Sequence, residues 1–172
     1  RVIECAGAFI KGVTDAGGIP CGKHFPGHGA CAQDSHTEMA VSFDDMTPHL
    51  EPYRALVEQM PSIMVGHIEF PMFDESGKPA SRSKTIMDIL RKDLNYKGLV
   101  VTDSISMTGF GEPQEELAVE AIAAGVDVLL DPKDPVALAM TLRDAVARGD
   151  LDEERVREAV ARASIDLHLA VD

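Results

Sequence analysis

The stretch "KGLVVTDSISMTGFGEPQEELAVEAIAAGVDVLL", residues 97–130, sets two short apolar runs on either side of a helical one. "KGLVVTDS" (97–104) is the clearest strand of the chain, because its apolar residues are consecutive instead of alternating, as in a strand buried on both faces. "PQEELAVEAIAAG" reads as a helix stopped at Gly125, and "VDVLL" (126–130) as a further strand. A strand, a crossover helix and another strand in that order predict parallel pairing.

The alternation extends in both directions. Upstream, "RVIECAGAFIKGVTDAGG" reads as a helix already under way at its first residue and ending at Gly17-Gly18; "IPCGK" (19–23) reads as a strand. A helix follows from "MTPHLEPYRALVEQM", with Thr47 as cap and Pro48 at its first position, then a strand "SIMVGHIEF" (62–70). Ser83 opens a helix whose Ile86, Ile89, Leu90 and Leu94 keep the three-four spacing of a buried face. Downstream, Asp134 and Pro135 start a helix, and "DEERVREAVARASIDLHLA" is a final amphipathic one. This order predicts an α/β fold, a parallel sheet covered by helices: either an open doubly wound sheet or part of an eight-stranded barrel.

In both architectures the ligand edge is the carboxyl end of the strands. Lys23 and His24 follow the first strand, His67 and Glu69 lie at the end of the second, Asp103 ends the third and Asp131 follows the fourth. These residues therefore converge on one edge by topology alone. Composition narrows what the edge can bind. A formal net charge of -13 excludes the clustered cations that nucleic-acid binding requires. Cys5, Cys21 and Cys31 are odd in number and lack metal-site spacing, and no apolar run approaches the ~20 residues of a membrane span. The sequence sets no oligomeric state.

"KHFPGHGACAQDSH" (23–36) concentrates polar chemistry after the first strand. Asp34 and His36 stand two apart, so in extended chain the carboxylate can orient the imidazole for proton transfer; the other reading is local turn bonding with a solvated histidine. Asp103 can serve as nucleophile, metal ligand or helix cap. His24, His28, Asp34 and His36 are metal-type side chains, but their spacing matches no helical or paired zinc pattern. Lys23 precedes the glycines instead of following them, which argues against a phosphate loop. No metal and no cofactor is expected.

Taken together these segments resemble glycoside hydrolase family 3, in particular its single-domain β-N-acetylglucosaminidases. "KHFPGHGACAQDSH" fits the family signature K-H-[FI]-P-G-[HL]-G-x4-D-[ST]-H at every specified position. "MVGHIEFPMFDESGKPASRS" and "ILRKDLNYKGLVVTDSISMTG" resemble the segments that carry a histidine strand and the nucleophile strand.

The resemblance implies a (β/α)8 TIM-type barrel, with residues 1–172 as one domain supplying its C-terminal half and an N-terminal part preceding it. It implies a retaining exo-β-N-acetylglucosaminidase with Asp103 as nucleophile, His36 as acid/base, and Asp34 orienting His36. Lys23 and His24 would bind the terminal sugar, with His67 lining the same site. The implied partner is a carbohydrate containing N-acetylglucosamine, and the family's usual setting is peptidoglycan recycling in a bacterial cytoplasm. Many relatives carry a second Asp after the nucleophile, where this chain has Ser104. The alternatives are a family 3 phosphorylase or β-glucosidase and, more remotely, a His/Asp metal hydrolase or an inactive sugar-binding half-barrel.

Overall fold

The computed structural model describes residues 1–29, 31 and 38–166. In chain order the elements are α1 (Val2–Asp15), β1 (Cys21–Phe25), β2 (Ala40–Val41), α2 (Thr47–Leu56), β3 (Ser62–Val65), β4 (Ile68–Glu69) and α3 (Lys84–Asp88). They continue with β5 (Leu99–Ser104), α4 (Gln114–Ala124), β6 (Val128–Leu130), α5 (Pro135–Arg148) and α6 (Glu153–Asp166). Four strands form one parallel sheet in the order β1-β3-β5-β6. Spatial order follows chain order without reversal, which is the arrangement of a barrel wall; a doubly wound sheet reverses at its switch point.

Apolar continuity explains the two central strands. Ile63 and Val65 on one face of β3 and Ser62 on the other, with Leu99 and Val100 on β5, are all buried, so the strands are covered on both faces. Phe25, Phe70, Ile86, Met87, Leu90, Ile105 and Phe110 complete the core around them. Each such side chain contributes about 1.5–3 kcal/mol through burial.

Local chemistry sets the helix ends. The Ser83 hydroxyl accepts from the Ile86 amide at 3.1 Å, and Asp134 Oδ1 accepts from the amides of Val136 and Ala137 at 3.0 and 2.9 Å. Gly125, at φ +133°, ends α4 in a backbone conformation that side chains resist. The expected Thr47 cap shifts. Met46 is the capping residue, and the Asp45 carboxylate accepts the Thr47 amide at 2.9 Å, because an Asp two residues ahead forms the local turn first.

The expected strand 62–70 also divides. Its first half joins the main sheet as β3, Gly66 and His67 break the run, and β4 pairs with β2 in a separate two-stranded parallel ladder. The first expected strand starts two residues later, so Lys23 and His24 lie within β1. Among the described residues no helix is long and apolar enough to cross a membrane.

At the amino ends of the strands, the Asp127 carboxylate is wholly buried. Its Oδ1 meets Arg155 Nη2 at 2.7 Å and Arg162 Nη1 at 3.0 Å, and its Oδ2 meets Arg91 Nη2. The same Oδ2 accepts the Val100 amide at 2.9 Å, while the Asp127 amide donates to the Val100 carbonyl at 2.8 Å. Arg91 also bonds the carbonyls of Gly98 and Gly125 at 2.7 and 3.3 Å. One carboxylate therefore joins the turn after α3, the start of β5 and helix α6. Replacing Asp127 by Ala strands guanidinium groups in a nearly dry site, and a loss of about 3–5 kcal/mol is expected in chemical denaturation. A loss below about 1 kcal/mol would mean that the arginines re-solvate without it.

Candidate active site

The site is built where β1 and β5 end. Between Gly22↔Ile63 and Phe25↔Val65 the pairing of β1 with β3 gains a residue, so Lys23 and His24 oppose the single Met64. A bulge of this kind re-aims side chains at the rim of a sheet. It carries the His24 imidazole past β3 to β5, where Nε2 lies 3.3 Å from Asp103 Oδ2. β5 has its own irregularity: between Val101↔Val128 and Ser104↔Leu130, Thr102 and Asp103 oppose only Leu129. Thr102 Oγ1 accepts the Leu130 amide at 3.1 Å, replacing a ladder bond and leaving Asp103 at the rim.

Asp103 Oδ1 accepts the Ser104 amide at 2.9 Å, and the side chain is 19% exposed. Each carboxylate oxygen thus has a nitrogen neighbour, and one flank is open. The helix-cap reading fails, since the short 3-10 turn Thr108–Phe110 is capped by Met107 and the next α-helix begins at Gln114, with Pro113 before it. A carboxylate fixed in this way at the ligand edge suits nucleophilic attack or charge stabilisation. Lys23 is exposed and lines, with His24, a cleft of about 450 Å³ on the β1 flank that Phe9 and Tyr53 wall. His28 meets the His24 ring edge-on, with centroids 5.5 Å apart. Asp34 and His36 lie outside the described residues.

His67 is held by the protein's own groups. It is only 1% exposed, and both ring nitrogens are bound by protein: Nδ1 lies 2.8 Å from Ser81 Oγ and Nε2 3.1 Å from the Ser104 carbonyl oxygen. The ring also meets the edge of Phe110 at 5.1 Å. It lies buried against Phe110, bonded to the residue that follows Asp103. A carbonyl only accepts, so Nε2 carries the proton and Nδ1 accepts from the Ser81 hydroxyl. Burial, with the Arg82 charge adding to it, pushes the His67 pKa down against the opposing pull of Asp103 and the Ser104 carbonyl, which favours this neutral form.

The sequence matches the glycosyl hydrolase family 3 N-terminal domain over residues 1–164. The chain belongs to glycosyl hydrolase family 3. It is 35% identical over 139 residues to a β-hexosaminidase of Idiomarina loihiensis, covering 76% of this chain and 41% of that protein. It is also 35% identical over 177 residues to the β-hexosaminidase LpqI of Mycobacterium tuberculosis, covering 95% and 45%. The chain therefore spans less than half the length of these relatives. Among solved structures, a family 3 glycosyl hydrolase from Mycobacterium smegmatis superposes with a TM-score of 0.88 at 33% identity, over 96% of this chain and 54% of that one. A family 3 β-N-acetylglucosaminidase from Paenibacillus gives 0.90 at 29% identity, over 99% and 36%. The β-glucoside phosphorylase BglX gives 0.90 at 31% identity, over 98% and 34%. The four-stranded wall is part of the family's TIM-type barrel.

Four further residues, Ser104, Ser106, Gln114 and Ser81, hold the rim of this family 3 domain, and none of the four was a sequence candidate for the site. Ser104 donates its hydroxyl to Asp131 Oδ2 at 2.7 Å, and Ser106 donates to the Asp131 carbonyl at 2.7 Å. Gln114, buried, donates to the Ile105 carbonyl at 2.9 Å and accepts the Lys133 amide at 3.0 Å, joining the loops after β5 and β6. Ser81 is the partner of His67, 14 residues away. The position of Asp131 after an apolar strand was a usable signal; Ser81 and Gln114 had none, since only the fold brings their partners near.

The state of His67 has a consequence for pH. The unfolded imidazole titrates near ~6.5 and the folded one lower, so below about pH 6.5 the unfolded chain binds a proton that the native one refuses. Stability should therefore fall as pH drops from 7 towards 5, by at most about 1.4 kcal/mol per pH unit for one proton. Denaturation midpoints of wild type and His67→Gln across that range should separate with a pH-dependent gap; a constant gap refutes the assignment.

Proposed function

We propose that this chain carries the catalytic part of a retaining exo-β-N-acetylglucosaminidase acting on terminal β-linked N-acetylglucosamine. The observation that carries the reading is the Asp103 carboxylate, held at the carboxyl end of β5 by the Ser104 amide and His24 with one side exposed. The similarity to β-hexosaminidases supports the sugar class. Asp103 attacks the anomeric carbon while His36, steadied by Asp34, protonates the leaving oxygen; a covalent glycosyl-Asp103 forms and the aglycone departs. Neutral His36 then takes a proton from water, whose oxygen displaces Asp103 and releases the sugar. Lys23 and His24 hold the sugar's hydroxyls. Peptidoglycan fragments in a bacterial cytoplasm are the substrate and setting that this reading favours.

Phosphorolysis is the second reading, favoured by the likeness to BglX. An imidazole acid/base repels phosphate less than a carboxylate does, so phosphate can take the place of water in the second step.

Asp103→Ala should reduce turnover of an aryl N-acetylglucosaminide by at least about 10³-fold, and an activated fluorosugar should label Asp103 in the wild type, read by peptide mass. Unlabelled Asp103 with full activity in the variant would remove the nucleophile. His36→Ala should slow substrates with poor leaving groups about 10²-fold or more and leave activated aryl glycosides much less affected. Equal loss on all leaving groups excludes an acid role, and sugar 1-phosphate formed on adding phosphate selects the second reading.

A further inference from the structure

Ser104 is pinned on three sides. Its carbonyl accepts from His67 Nε2 and from the Met107 amide, both at 3.1 Å, which uses both lone pairs. Its hydroxyl donates to Asp131, and its amide is then left directed at Asp103 Oδ1, 2.9 Å away. The Asp131 bond comes from the loop after β6 and is exposed, whereas the His67 bond comes from the loop after β3 and reaches Ser104 from a buried side chain. Its setting is costly for an imidazole: the ring is buried against Phe110, whose own ring lies 5.8 Å from the Arg82 guanidinium carbon. An apolar ring would fill the same volume and leave the Ser81 hydroxyl and the Ser104 carbonyl without this partner. What a histidine adds is an N–H for the Ser104 carbonyl, with the Ser81 hydroxyl fixing which nitrogen bears the proton.

We infer that His67, oriented by Ser81, is a positioning residue for Asp103: it clamps the Ser104 carbonyl so that the Ser104 amide stays on the attacking carboxylate. The role rests on Asp103 as nucleophile, yet it is readable apart from turnover. Both nitrogens of His67 are engaged by Ser81 and the Ser104 carbonyl, so its action on Asp103 passes through Ser104. It keeps Oδ1 hydrogen-bonded to the Ser104 amide and leaves Oδ2, beside His24 Nε2, as the attacking oxygen, which a loose rim turn would not do.

The test compares His67→Phe, which keeps the ring volume, with His67→Gln, which keeps an N–H near the Nε2 position, and with Ser81→Ala. Amide hydrogen exchange is read at Ser104 against Val100 in the same strand. The Phe variant should lose about 10-fold protection at Ser104 beyond any change at Val100, and the Gln variant should regain most of it. On an aryl N-acetylglucosaminide, kcat of the Phe variant should fall about 10–100-fold with KM within about twofold, again with recovery in the Gln variant. Ser81→Ala should show the same pattern, smaller. Equal loss of protection along β5, or a Gln variant no better than Phe, would overturn the role and leave His67 a structural residue. Turnover surviving in Asp103→Ala would instead overturn the nucleophile, and the exchange pattern would still decide whether His67 holds the Ser104 amide.

Discussion

The buried carboxylate of Asp127 is the constraint on which the rest of the domain depends. Its two oxygens face three guanidinium groups, and its backbone and side chain both bond Val100, so β5 and β6 are locked in register at their amino ends. Asp103 lies three residues beyond Val100 on the same strand, and that register sets how far it emerges at the opposite rim. A buried charge with this many partners is stabilising only while all of them are present, which makes the arrangement specific as well as costly to disturb.

The two ends of the sheet divide the labour. At the amino ends, arginines and glycine carbonyls hold helices against strands; at the carboxyl ends, hydroxyls, an amide side chain and one imidazole hold loops against each other. The irregular pairing of β1 and β5 falls at the carboxyl end alone among the strand contacts around Asp103. Regular ladders would send successive side chains to alternate faces; the extra residues bring His24 and Asp103 to one point. Ser104, the residue after Asp103, lends its hydroxyl to Asp131, so a carboxylate from the loop after β6 is tied to that position.

Much of the architecture was legible because its causes are local. The unbroken apolar run of β5, the Ser83 and Asp134 caps, and the stop at Gly125 each depend on residues within a few positions. Legibility failed where a distant partner decides. The run 62–70 looked like one strand, but its break at His67 follows from bonds to Ser81 and Ser104, 14 and 37 residues away. The same distance hid the role of Asp127, although a lone acid in "GVDVLL" was a sign of an internal partner.

By itself the sequence determined the α/β alternation, the parallel pairing, the common edge of Lys23, His24 and Asp103, and the family resemblance of the segment from Lys23 to His36. Those properties reside in periodicity, turn chemistry and motif order, all of which are short-range. Only the tertiary structure decided between barrel wall and open sheet, buried His67 between Ser81 and the Ser104 carbonyl, and set Asp103 between the Ser104 amide and His24. Strand order, bulge position and the partner of a buried polar group arise from packing between segments far apart in the chain, and no local pattern encodes them.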